Sequence, residues 1–294
     1  MSLVINHNLM AMNAARSLSF TYSRLATSVA RLASGLRINS AADDAAGLAI
    51  REMMRTDIRV LSQGVRNAND AISLIQTADG ALSVIDEKLT RMKELAEQAA
   101  TGTYTAAQRL IMDSEYQAMA SEISRIANAT DFNGVKLLDG TLSGTGLSGG
   151  DGNQLKIHFG TGNSSAEDYY YIRITSATAS ALGVGNAVAP GTAGYTISTQ
   201  AAAQAALEAI DAAVATKDNI RANLGAVANR LANTISNLTI QAENLQAAES
   251  RISDVDVATE MTEFVRNQIL TQAAVGMLAQ ANSLPQLALQ LISG

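Results

Sequence analysis

Apolar residues recur along this chain at alternating steps of three and four. Near the N-terminus Leu18, Tyr22, Leu25, Val29, Leu32 and Leu36 form one such stripe. That spacing brings every member to one side of a helix and predicts a coiled-coil seam. The pattern resumes at Ile58, Leu61, Val65, Ala68, Ile72 and Ile75, and continues through Leu82, Ile85, Leu89, Met92 and Leu95 without an intervening proline. An uninterrupted helix from about Ser40 to about Ala100 would measure roughly 90 Å at ~1.5 Å per residue. "TGTY" at 101–104 breaks it, and Met112, Tyr116, Met119, Ile123 and Ile126 restart the period in a second helix. "DFNGVKLLDG" at 131–140 ends that helix with turn chemistry and a short apolar run.

Residues 141–197 change character. "TLSGTGLSGGDGN" is loop-like, whereas "QLKIHFG" alternates Leu155, Ile157 and Phe159, and "DYYYIRIT" sets Tyr170, Ile172 and Ile174 on one face. A period of two on both sides of a Gly/Ser/Asn turn predicts a β-hairpin or small sheet. "ALGVGNAVAPGTAG" is again loop-like. Helix returns at about Ser198, with Ile220, Leu224, Val227, Leu231, Leu238 and Leu245 on one stripe, and runs with an interruption near "SDVD" to the C-terminus. The fold class expected is mainly α: long antiparallel coiled-coil helices formed by the N- and C-terminal segments, with a small β-hairpin region in the middle.

Composition narrows the functions available. Trp and Cys are absent, Phe occurs four times and the only prolines are Pro190 and Pro285. Alanine, leucine and isoleucine carry the apolar content, which suits long helices in close side-by-side contact. A net charge of -6 leaves no general basic surface, so nucleic acid is excluded as a partner. The N-terminal "MSLVINHNLMAMNAARSLSF" lacks the basic start and apolar core of a cleavable signal. No stretch approaches the ~20 apolar residues of a membrane span. No acidic residue precedes Asp43, and no charged side chain follows Arg266. Helices so weakly polar on every side are unsuited to water alone. They are expected to pack on each other and on other copies, giving a homo-oligomer assembled from its termini.

The stretch "SGLRINSAADDAAGLAI", 34–50, places Asp43 and Asp44 side by side in an alanine-rich run. Paired carboxylates can bind metal or exchange protons, but nothing nearby supplies further ligands. Ser40 stands three residues ahead of Asp43, the spacing of a helix N-cap, and first-turn acids complement the helix dipole. Ser40, Asp43 and Asp44 are therefore read as a helix start. His7 and His158, the only histidines, lie in unrelated contexts. No HExxH, GxSxG, GxGxxG or Walker A motif occurs. The expectation is no enzyme, no metal and no cofactor. Amides crowd the C-terminus at Asn267, Gln268, Gln272, Gln280, Asn282, Gln286 and Gln290, where they are expected to bond between subunits or line a wet interior without adding charge.

Several longer motifs now carry a resemblance. "RINSAADDAAGLAI", "GVRNANDAISLIQTADGAL", "DFNGVKLLDG", "NLGAVANRLANTISNL" and "VRNQILTQAAVGMLAQAN" closely resemble bacterial flagellin, over about residues 1–140 and 198–294. The short middle is similar to flagellins without large outer domains. The resemblance implies an inner coiled-coil tube from 1–42 and 254–294, and a rod domain over 43–253 with a β-hairpin or loop outer segment at 141–197. It assigns tube packing to Leu18, Tyr22, Leu25, Val29, Leu32, Leu36, Ile269 and Leu278. It also implies polymerisation into the flagellar filament for swimming, unfolded type III export to an extracellular site, and partners in an export chaperone, a filament cap and hook-junction proteins. Alignment of "LTRMKELAEQ" and the segment ending "DFNGVK" points to Arg91, Leu95 and Glu115 as contacts for the mammalian Toll-like receptor for flagellin. The alternatives are a hook–filament junction protein or another coiled-coil assembly protein. A flagellin with an enzymatic insert would need a zinc motif in the middle segment.

Overall fold

The structure is a computed structural model that describes residues 7–144, 154–165, 167–189 and 191–293, with the side chains of 187 and 284–293 outside the description. Much of the loop expected at 141–153 therefore lies outside the described residues. Among the described residues, six α-helices, one 3-10 turn and four short strands follow in the order α1 (Leu9–Ser34), α2 (Ala45–Ala100), α3 (Ala106–Ala129), β1 (Asp131–Phe132), β2 (Val135–Lys136), β3 (Leu155–His158), β4 (Tyr169–Ile172), α4 (Ala179–Leu182), the 3-10 turn (Gly185–Ala187), α5 (Gln200–Ser253) and α6 (Val257–Ser293). The mainly helical fold class expected from the periodicity is the one observed. The chain divides into two compact units, Met1–Ile58 with Glu243–Gly294, and Arg59–Ala242.

In the second unit one apolar core joins α2, α3, α5 and the intervening loops. From α2 it takes Ala68, Ala71, Ile75, Ala78, Leu82, Ile85, Leu89, Met92, Ala96 and Ala99, all buried. These are steps of three and four, so the stripe faces the core along many turns. Burial of each Leu, Ile or Met is worth roughly 1.5–3 kcal/mol. α3 opens on a reciprocal cap, in which the Thr105 hydroxyl accepts from the Gln108 N–H and the Gln108 side chain accepts from the Thr105 N–H. This satisfies two of the amides that a helix start leaves unpaired. Tyr116 from α3 is fully buried, and its hydroxyl donates to the Gly194 carbonyl at 2.8 Å.

Both hairpins are antiparallel. β1 and β2 are joined by Asn133 and Gly134, at φ 51° and 81°. Two left-handed residues in a two-residue loop match the strand twist, which is why Asn-Gly suits this turn. β3 and β4 pair Leu155 with Ile172 and Ile157 with Tyr170, the residues whose alternation predicted the hairpin. This second hairpin docks on α2: the Asn67 amide donates to the His158 carbonyl at 2.8 Å. Phe159 follows β3, is buried, and sets its ring 4.6 Å from Tyr170.

Candidate assembly surface

The first unit is built from the ends of the chain. The Asn8 side chain caps α1 by accepting from Ala11 N–H at 3.0 Å, and its amide donates to the Ala281 carbonyl at 2.8 Å. At the other end of α1, Arg31 lies 3.6 Å from Glu260. The two pairings fix α1 antiparallel to α6. They also match the helix dipoles, since Arg31 stands in the last turn of α1 and Glu260 in the first turn of α6.

The covered face of α1 runs through Ala11, Ala14, Leu18, Thr21, Leu25, Ser28 and Leu32, a heptad seam. On α6 it runs through Glu260, Phe264, Asn267, Thr271, Ala274, Leu278 and Ala281. Small and polar side chains alternate on this seam with Leu18, Leu25 and Leu32 of α1 and with Phe264 and Leu278 of α6. Of the residues expected to pack here, Leu18, Leu25, Leu32, Leu36 and Leu278 are partly covered, whereas Tyr22 is 65 % exposed, Val29 48 % and Ile269 59 %. Thr21 and Ser28 take the seam places that Tyr22 and Val29 were expected to fill. Further large apolar groups point outward: Met12 and Phe20 beside Tyr22 and Val29 on α1, and Val265, Val275 and Met277 beside Ile269 on α6. Among the C-terminal amides Asn267 is buried in the seam, Gln268, Gln272, Gln280 and Asn282 are exposed, and the side chains of Gln286 and Gln290 lie outside the description.

Between α1 and α2, and between α5 and α6, the chain is interrupted at the same place. Gly35, with φ 72°, ends α1, and its carbonyl accepts from Val255 N–H at 3.0 Å. Leu36 bridges Asp254, and Arg37 N–H donates to the Ser253 carbonyl at 2.6 Å. The Arg37 guanidinium adds a bond to the Ile252 carbonyl at 2.7 Å. Asp256 caps α6, accepting from Ala258 N–H at 3.0 Å and from the Thr259 hydroxyl at 2.9 Å. The Thr259 hydroxyl, then the Thr259 and Ala258 amides, hold the Asp256 carboxyl below its ordinary pKa.

The paired acids have separate structural tasks here. Asp44 directly precedes α2, and its carboxylate accepts from Gly47 N–H at 2.9 Å. Asp44, not Ser40, is therefore the cap of α2, and the helix starts at Ala45. Ser40 instead opens a turn that Asp43 closes: the Asp43 carboxylate accepts from Ser40 N–H at 3.0 Å, Ser40 hydroxyl at 3.1 Å and Asn39 N–H at 3.2 Å. The Ser40 amide and hydroxyl, then the Asn39 amide, hold its pKa down, with Arg31 adding to the effect. The Ser40–Asp43 spacing of three serves this turn as well as it would a cap. A Cβ on Gly47 would lie 2.5 Å from the Asp44 carboxylate and 2.7 Å from the Ile38 terminal methyl, so both side-chain ends would have to shift to admit one.

Family comparison decides what such terminal helices belong to. The model of the bacterial flagellin N-terminal helical region matches residues 5–143, and that of the C-terminal helical region matches residues 207–292. The chain belongs to the flagellin family. A flagellin of Halalkalibacterium halodurans is 45 % identical over 290 residues, covering 99 % of this chain and 100 % of the relative. A Bacillus subtilis flagellin is 44 % identical over 304 residues, covering 98 % and 99 %. A flagellar filament core protein of Brachyspira hyodysenteriae is 41 % identical over 290 residues, covering 99 % and 100 %.

Within this flagellin the residues aligned with receptor contact are separated by burial. Arg91 is exposed and lies 2.8 Å from Glu115 and 3.0 Å from Glu94. Those two carboxylates, Glu94 first, raise its pKa. Leu95 is 2 % exposed and sits in the core. Arg91 and Leu95 stand one helical turn apart, yet the core covers Leu95 and leaves Arg91 at the surface. Among the described residues no group of three or more His, Cys, Asp or Glu side chains could hold a metal ion. No described helix is long and apolar enough to cross a membrane.

Proposed function

We infer that this chain is a structural subunit of the bacterial flagellar filament, which self-assembles through its terminal helices and does no catalysis. One observation carries the reading. The α1–α6 pair leaves large apolar side chains, Tyr22, Val29 and Ile269 among them, facing out on the side away from its own seam. A helix with apolar groups all round is one that is covered all round. Further copies of the same chain are the natural cover, and the full-length relatives named flagellin and filament core protein agree with that. The same relatives weigh against a hook–filament junction protein.

On this reading residues 1–42 and 254–294 form the inner tube and 43–253 the surrounding rod domain. The chain leaves the cell unfolded by type III export and acts outside it. An export chaperone holds the C-terminal segment beforehand, and a filament cap and hook-junction proteins are its neighbours in assembly. Recognition by the Toll-like receptor for flagellin would rest on Arg91 and Glu115 at the surface, with Leu95 supporting them from within.

The test is seeded growth of the full-length chain on its own sheared fragments under salting-out conditions, which strengthen apolar burial. Long filaments of helical symmetry are expected in electron micrographs. Ile269→Asp should abolish growth while leaving the helical circular dichroism of the monomer intact. Normal filaments from that variant, or from a chain lacking roughly its last 30 residues, would remove the terminal helices from assembly.

A further inference from the structure

Within the second unit α5 carries one exception to its apolar stripe. Ile210, Ala213, Ile220 and Leu224 are buried at coiled-coil spacing, and the place between Ala213 and Ile220 belongs to Lys217, 2 % exposed. Its ammonium lies 2.5 Å from Asp86 and 2.8 Å from Asp218. Burial alone would lower its pKa, but the Asp218 and Asp86 carboxylates more than offset this and keep it charged. An ion pair stands on either side: Lys93 with Asp211 at 2.5 Å, and Arg221 with Asp79 at 2.7 Å. Asp79, Asp86 and Lys93 recur one heptad apart along α2, and their partners run the opposite way along α5. The three pairs thus form a ladder between antiparallel helices.

An apolar stripe that repeats every heptad is nearly as well satisfied when one helix slides by a heptad. A lone lysine at a seam position distinguishes such registers, at some cost in stability. The signs along this ladder discriminate in both directions. If α5 slides so that Lys217 moves from Asp86 to Asp79, Asp211 comes level with Asp86, acid on acid, while Lys93 and Arg221 lose their partners. If it slides the other way, Arg221 meets Asp86, but Lys217 comes level with Lys93 and the remaining acids have no partner. Each slip retains a single attractive pair and creates a repulsive one. We propose that this ladder is a register lock, which holds α2 against α5 in one alignment and rejects the neighbouring heptad registers.

The chain has no cysteine, so Cys introduced at Thr77 and Thr216, both exposed, would carry the only two nitroxide labels. They stand at different levels of the ladder, and a one-heptad slide moves one past the other by about 10 Å along the axis. Pulsed electron-electron distance measurement on the monomer should give one population for the parent. Asp211→Lys places its new amine against Lys93 in the native register and against Asp86 in the slipped one. A second population, displaced as the slide requires, should then appear, and adding Lys93→Asp should remove it. Lys217→Met leaves the Lys93–Asp211 and Arg221–Asp79 pairs in place, so it should keep a single native distance and hold or raise the melting temperature. A single native distance in Asp211→Lys would overturn the lock. The readout needs no polymerisation, so its failure is separate from failure of the filament reading.

Discussion

Gly64 lies inside α2, where a glycine ordinarily weakens a helix, and replacing it with alanine should nevertheless be harmful. A Cβ at this position would stand 2.8 Å from the carbonyl carbon of Phe159 and 3.0 Å from its Cα, and closer still to the carbonyl oxygen. Those are backbone atoms, so no side-chain rotation relieves the clash and the β3–β4 hairpin must retreat from α2. Overpacking of this kind costs ~1–3 kcal/mol. The retreat also stretches the Asn67 bond to the His158 carbonyl, 2.8 Å in the native chain, a loss of about 1 kcal/mol. Against this stands the helix-propensity gain of Ala over Gly, ~0.8–1 kcal/mol. The net expectation for Gly64→Ala is destabilisation by about 1–3 kcal/mol. Gly80 is the internal control: it lies in the same helix, and a Cβ there meets nothing within 4 Å. Gly80→Ala should therefore stabilise the chain by up to ~1 kcal/mol. Urea unfolding of the unpolymerised variants, followed by far-ultraviolet circular dichroism, compares the two directly. If they agree to within ~0.5 kcal/mol, the usual spread for surface changes, the close approach of the hairpin to α2 is refuted.

Asp44→Ala should cost ~0.5–2 kcal/mol as a lost cap, with faster amide exchange at Gly47, while Ser40→Ala should leave that amide unchanged. Asp43 has a folded pKa below its unfolded value. Its contribution is therefore fully present above the ordinary aspartate pKa and disappears as the pH falls through the lower folded value. Asp43→Asn should be less stable than the parent at neutral pH and converge with it in acid, and a gap that widens on acidification would contradict the assignment. Leu95→Ala should destabilise the rod by ~2–5 kcal/mol as a core cavity, whereas Arg91→Ala should leave the melting temperature nearly unchanged; equal effects would place Leu95 at the surface.

Sequence periodicity was most informative where one face of an element meets one partner. The β3–β4 register could be read from Leu155, Ile157, Tyr170 and Ile172, and the α2 stripe from Leu82, Ile85, Leu89 and Met92. In α1 the same method selected Tyr22 and Val29 over Thr21 and Ser28, because it ranks residues by apolar size. A helix with two covered faces carries apolar residues on both, and the pattern along one chain does not reveal which face meets its own partner. The start of α2 was misplaced for a different reason: a Ser-x-x-Asp spacing is compatible with a cap and with a turn, and only the backbone decides between them. Lys217 reads in the sequence as a break in the stripe of α5, because the partner that admits it to a covered place, Asp86, is remote along the chain.

The paired interruptions at Gly35–Arg37 and Ser253–Val255 have a mechanical consequence. A gap in a lone helix is a swivel, free to turn about its single bonds. Here two such gaps, one from each end of the chain, are stitched side by side by main-chain bonds and by the Arg37 guanidinium. Neither strand can swivel without dragging the other, so the twofold strap resists torsion that a single strand would let through. Torsion that reaches the joint along α1 is thereby shared with α6, and no one covalent thread bears it alone.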